Sequence, residues 1–143
     1  MFRHLTDSIF ASPQISIADL AEAKALGVGL VINNRPEGES DDQVPGAEIE
    51  AAARALGMDY VAIPVTHAGF SGPQVEAMSA ALAKSETKIL AYCRSGTRST
   101  LLWALAQAST GADLEAVTAQ AAAAGYDVTP VRPLMDMLKA RHG

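Results

Sequence analysis

Short apolar runs alternate with helical stretches that end in glycine, and that alternation narrows the fold more than any other feature. Val28-Gly29-Leu30-Val31-Ile32-Asn33, Tyr60-Val61-Ala62-Ile63-Pro64-Val65 and Lys88-Ile89-Leu90-Ala91-Tyr92 have the length and apolar content of buried strands. Between them, Ser16 and Asp19 form a capping-box pair opening a helix through Leu26, which Gly27 stops. A second helix is predicted over 47–56, ending at Gly57, and Pro73 opens a third over 74–83. After the last strand, helices are predicted over 99–109, 114–124 and 133–140, with Gly125-Tyr126-Asp127 between the final two. The first twelve residues read as a hairpin or edge strand that Ser12-Pro13-Gln14 breaks. Strand and helix in alternation predict an α/β domain with a mostly parallel central sheet flanked by helices.

The chain of 143 residues is long enough to bury one core, and no linker, repeat or low-complexity tract divides it, so a single domain over 1–143 is expected. A net charge of −5 without a basic block argues against nucleic-acid and membrane binding. One cysteine allows no internal disulfide and no cysteine-rich zinc site, which suits a reducing bacterial cytosol. The N-terminus lacks the apolar segment of a signal peptide, and no run approaches the roughly 18 apolar residues of a membrane span. His4, His67 and His142 are far apart, so neither metal nor cofactor is expected.

Ligands of such sheets bind beyond the carboxyl ends of the strands. The loops there are 33–39, 66–72 and 93–98, and their polar residues (Arg35, Glu37, Glu39, Thr66, His67, Arg94, Ser95, Arg98) are expected to converge on one pocket. The third is the informative one. Strand 88–92 runs into Cys93-Arg94-Ser95-Gly96-Thr97-Arg98-Ser99, and a helix follows. A lone cysteine after a strand is ordinarily a small buried apolar residue. Two arginines beside it need an anion, and a glycine turn into a helix N-terminus supplies inward amides, conditions that favour a thiolate nucleophile. Arg98 would clamp an anion bidentately, with Arg94 as rim charge and the 94–98 amides as a cradle. The hydroxyls of Thr97 and Ser99 would reach the sulfur or cap the helix. Arg35 would either reach the pocket or pair with the acids of its own loop, and Glu37 and Glu39 either orient an arginine or face solvent.

The cysteine loop resembles the active loop of rhodanese-type sulfurtransferases and, more loosely, the phosphate loop of cysteine-dependent phosphatases. Together with Val31–Glu39, Ile63-Pro64-Val65 and Ala124-Gly125-Tyr126-Asp127, it resembles the phosphatase-like domain of the beta-lactamase hydrolase-like family, which occurs alone or joined to a persulfide dioxygenase. That resemblance implies a fold like that of dual-specificity phosphatases. The phosphatase signature has five residues between cysteine and arginine; here Arg94, Ser95, Gly96 and Thr97 make four. The histidine usual before the cysteine is Tyr92, and Thr66–Gly72 has no carboxylate to act as acid, leaving His67 as the candidate proton donor. Sulfite and thiolates leave without strong acid help. The expected activity is therefore sulfur transfer through a Cys93 persulfide, from thiosulfate or a low-molecular-weight persulfide to a thiol acceptor, with a persulfide dioxygenase as a further partner. The alternatives are a cysteine phosphatase and a non-catalytic persulfide carrier or sensor.

Overall fold

The computed structural model describes residues 1–142. Five strands form one sheet: β1 (Arg3–Thr6), β2 (Ile9–Ser12), β3 (Val28–Asn33), β4 (Asp59–Ala62) and β5 (Lys88–Tyr92), in the order β1-β2-β5-β3-β4. Only β1 and β2 are antiparallel, a hairpin on one edge; β2, β5, β3 and β4 pair in parallel. The helices are α1 (Ile17–Ala25), α2 (Gly46–Ala55), α3 (Gly72–Lys84), α4 (Thr97–Ser109), α5 (Leu114–Ala123) and α6 (Arg132–His142), the last preceded by a 3-10 turn.

Period-two alternation along the strands divides the core into two layers. Phe10, Val31, Leu90 and Tyr92 point to the side of α1 and α2, where Leu20, Ile49 and Met58 meet them. Ile9, Ala11, Ile32, Ile89 and Ala91 face the other side, which α4 fills with Leu102, Trp103 and Leu105. Nine of the thirteen residues of α4 are buried, so it has no polar face and sits beneath its neighbours α3, α5 and α6. The predicted capping box of α1 forms: Ser16 N–H donates to Asp19 at 2.8 Å and Asp19 N–H to the Ser16 hydroxyl at 3.3 Å.

The strand expected over 60–65 is shorter, and proline is the reason. β4 ends at Ala62; Ile63 and Val65 still donate to the carbonyls of Asn33 and Asn34, at 2.9 and 3.0 Å, but Pro64 between them has no N–H to extend the ladder. The central helix begins at Thr97 rather than Ser99, because Gly96 (φ 91°) already makes the turn. α6 runs from Arg132 to His142, past the predicted Ala140. Among the described residues no helix is long and apolar enough to cross a membrane.

Candidate active site

β5 is the middle strand, and Cys93 follows its last residue. The backbone there is held from both sides: Cys93 N–H donates to Ser12 O at 3.3 Å, and Asn34 N–H donates to Tyr92 O at 2.8 Å. Gly96 then adopts a left-handed conformation and caps α4, so that its N–H turns back and donates to Cys93 Sγ at 3.1 Å. The amides of Arg98 and Ser99, in the first turn of α4, have no acceptor among the described residues. The N-terminus of a buried helix, with free amides beside the sulfur, is a place where an anion can be held. Cys93 itself is fully covered.

Arg98 is fixed before any ligand arrives. Its Nη1 donates to Glu39 Oε2 at 2.7 Å and to the Val65 carbonyl at 2.8 Å, and its Nη2 donates to Glu39 Oε1 at 2.8 Å. A guanidinium has five N–H groups. Three are thus committed, and the remaining Nε and second Nη2 hydrogens form a side-on fork that fits two oxygens of an anion. Glu39 raises the pKa of Arg98, with a smaller contribution from the neighbouring Cys93 sulfur.

Arg35 acts behind that pair. Its side chain, 4% exposed, donates from Nε to Glu39 Oε1 at 2.9 Å, from Nη1 to Gln14 at 2.9 Å and from Nη2 to Ser40 at 3.0 Å. Both alternatives for Arg35 therefore hold in part: it pairs with an acid of its own loop, but inside the protein, where it ties that acid to Arg98. Glu39, bonded foremost by Arg98 and then by Arg35, has its pKa lowered from the ordinary carboxylate value to about 2. It is a carboxylate at neutral pH and no proton donor.

The expected convergence is partial. Arg35 and Arg98 meet on the Glu39 carboxylate, and Arg98 lies beside the Cys93 sulfur. Glu37 turns away and accepts the Gly46 N–H at 2.8 Å, capping α2. Arg94 and His67 are exposed and make no side-chain hydrogen bond among the described residues, and Thr66 is exposed, its hydroxyl accepting from the Ala68 N–H and its carbonyl from the Gly69 N–H. Ser95 and Thr97 are exposed and bond each other, hydroxyl to hydroxyl, at 3.0 Å. Ser99 neither reaches the sulfur nor caps α4; its hydroxyl donates to Asn34 Oδ1 at 2.7 Å, while Asn34 Nδ2 donates to Ile63 O at 2.9 Å. No group of three metal-ligating side chains occurs among the described residues. A cleft of about 540 Å³ opens at the far end of the sheet, between Leu30, Val61, Ala77 and Ala81, and contains none of these groups.

Gln14, Ser40, Asn34 and Tyr126 were missing from the residues expected to converge. The Asn33-Asn34 pair at a strand end, where a buried amide must find partners, was the available signal for one of them. Tyr126 donates its hydroxyl to Ser95 O at 3.2 Å from the α5–α6 connection, far away in sequence.

A mixed sheet of this order, ending in a cysteine loop that opens a buried helix, defines a phosphatase-like α/β domain. The structure of Tk-PTP in its active form has the same fold, with TM-score 0.71 over 98% of this chain and 97% of that one at 17% identity. A family model described as "Beta-lactamase hydrolase-like protein, phosphatase-like domain" matches residues 1–110, and the chain belongs to that family. The structure of a candidate phosphatase from Neisseria meningitidis is similar at 31% identity and TM-score 0.83, covering 95% of this chain and 96% of that one. The Beta-lactamase hydrolase-like protein of Agrobacterium fabrum is 33% identical over 107 residues, which are 75% of this chain and 25% of that protein. The chain thus spans about a quarter of the length of that relative. These likenesses speak for the phosphatase alternative over the sulfur transfer that the loop spacing put first.

Proposed function

We propose that the domain is a cysteine-dependent phosphatase. The Cys93 thiolate attacks the phosphorus of a phosphomonoester, the bond from phosphorus to the leaving oxygen breaks, and water then hydrolyses the cysteinyl phosphate. The observation that carries this reading is the Arg98 fork, held by Glu39 and Val65 with two donors to spare, beside a sulfur that already accepts a loop amide. Free helix amides and the fork would take the phosphoryl oxygens as charge develops on them.

What the site lacks indicates the substrate. Loop 66–72 offers no carboxylate, and Glu39 is committed as an anion. A leaving group that needs little protonation suits such a site, so aryl and other activated phosphoesters are the expected class, with His67 the nearest candidate donor in sequence.

A second reading is sulfur transfer through a Cys93 persulfide, the sulfur coming from thiosulfate or a small persulfide and passing to an acceptor thiol. Two observations favour it: only four residues separate Cys93 from Arg98, and the sulfur is covered, which admits a slim donor more easily than a phosphoryl group. The two readings separate in one pair of assays. Hydrolysis of an aryl phosphate that disappears in Cys93→Ser, without mass gain on thiosulfate, supports the phosphatase. A Cys93-dependent gain of about 32 Da that passes to a thiol, with no ester hydrolysis, sinks it. Loading without onward transfer would mark a sulfur carrier.

A further inference from the structure

The peptide unit between Ser95 and Gly96 is engaged at both ends. Its N–H donates to Cys93 Sγ at 3.1 Å, and its carbonyl accepts the Tyr126 hydroxyl at 3.2 Å. In a trans peptide the carbonyl and the N–H point in opposite directions, so a donor fixed on the oxygen dictates where the N–H points. We propose that Tyr126 is a positioning residue for the nucleophile, its hydroxyl pinning the Ser95–Gly96 peptide so that the Gly96 N–H serves the Cys93 sulfur.

The need for such a pin follows from the residue at the turn. Glycine passes between positive and negative φ with little cost, so this peptide can turn over and present its carbonyl oxygen to the sulfur. An oxygen there repels a thiolate, whereas the N–H stabilises one. Ser95 and Arg94 are exposed, and the nearest backbone tie upstream is Gln14 N–H, in the segment after β2, on Arg94 O at 3.3 Å, one peptide before. A hydrogen bond to the carbonyl also polarises the peptide and strengthens its N–H as a donor.

Tyr126 is itself braced. A Cβ added at Gly96 would collide with its hydroxyl, so the ring is already in contact with the turn. Arg3 of β1 donates to Ala124 O at 2.9 Å and lies 5.8 Å from the centre of the Tyr126 ring, holding the α5–α6 connection against the loop. Burial raises the pKa of the Tyr126 hydroxyl, which therefore stays protonated and able to donate. The charged group sharing this surrounding of Cys93 is Arg98. The inference needs only that Cys93 is the nucleophile and is indifferent to whether it attacks phosphorus or sulfur.

The test is Tyr126→Phe, which keeps the ring, its packing and the arginine above it. Iodoacetamide alkylation of Cys93 is followed against pH in the full chain, alongside thermal unfolding. The expected result is alkylation near pH 6.5 slower by roughly three- to tenfold, the value of one neutral hydrogen bond. The rate at high pH and the melting temperature should stay close to those of the parent. Where ester hydrolysis is measurable, kcat falls by a similar factor and KM is little changed. Tyr126→Leu separates packing from hydrogen bonding: it adds a loss of stability but no further shift of the profile. A Tyr126→Phe profile that superposes on that of the parent overturns the proposal, as does one lowered equally at every pH. Because alkylation needs no substrate, failure of the phosphatase reading would leave this result intact.

Discussion

A carboxylate shared by two guanidinium groups, as Glu39 is by Arg98 and Arg35, serves two purposes at once. It compensates two cations, one of them buried, that would otherwise be costly to hold without a bound anion. It also sets the plane of Arg98, and so the direction of the fork left for substrate. Glu39→Gln replaces one acceptor oxygen with a donor facing a guanidinium. We expect a loss of about 1–3 kcal/mol in stability at pH 7, read by urea unfolding, on the scale of a hydrogen bond to a charged group. The pH dependence has a definite sign. The folded-state pKa of Glu39 is lowered to about 2, so its contribution is complete above the ordinary value and disappears as pH falls toward 2. The stabilities of parent and variant should therefore converge on acidification, and a gap that stays constant down to pH 2.5 would remove the carboxylate from the account. Turnover should drop at least tenfold, about 1.4 kcal/mol of transition-state binding.

At the scale of elements, the site depends on how the ends of β3, β5 and α4 are tied. Asn34 is the knot: its backbone N–H bonds β5, its carbonyl accepts from Val65, and its amide joins Ser99 to Ile63. Asn34→Ala would leave a buried hydroxyl and a carbonyl unpartnered, each costing about 1–3 kcal/mol. At about 3 °C per kcal/mol for a chain of this size, the melting temperature should fall by roughly 6–18 °C. A shift below 2 °C would mean that water replaces the amide. This knot also explains what the sequence could convey. The strands, most of the helices and the cysteine loop are local patterns, and each was legible from alternation, a capping pair or a glycine stop. The partners of Arg98 were less so. Glu39 lies 59 positions away among three other acids of similar exposure to solvent by composition, and only the fold distinguishes it from Glu37, which caps α2 instead. Tyr126 was no more legible: nothing in Gly125-Tyr126-Asp127 signals contact with a loop 31 residues earlier.

The whole molecule is larger than the region that the family model matches, which ends at Thr110, just past α4. The remainder is structural as well as functional. Leu114, Val117 and Ala121 of α5, then Val128, Val131 and Met135, are buried in the layer that covers α4. Without them Leu102, Trp103 and Leu105 would lose much of their cover. Each large apolar side chain in that layer contributes about 1.5–3 kcal/mol, and a domain has only about 5–15 kcal/mol of net stability to lose. A chain stopped after Thr110 should therefore fail to fold, with near-ultraviolet dichroism lost and a tendency to aggregate. The same cut removes Tyr126, so a truncated chain that stayed folded would still show the slowed alkylation of Tyr126→Phe. Retention of both the cooperative melt and the alkylation profile of the parent would contradict the two roles assigned to α5, α6 and their connection. Met135→Ala in the full chain gives the graded form of the same expectation: a loss of about 2–5 kcal/mol from a fully buried position. Its alkylation profile should stay with that of the parent, because Met135 supports the layer without touching the Ser95–Gly96 peptide.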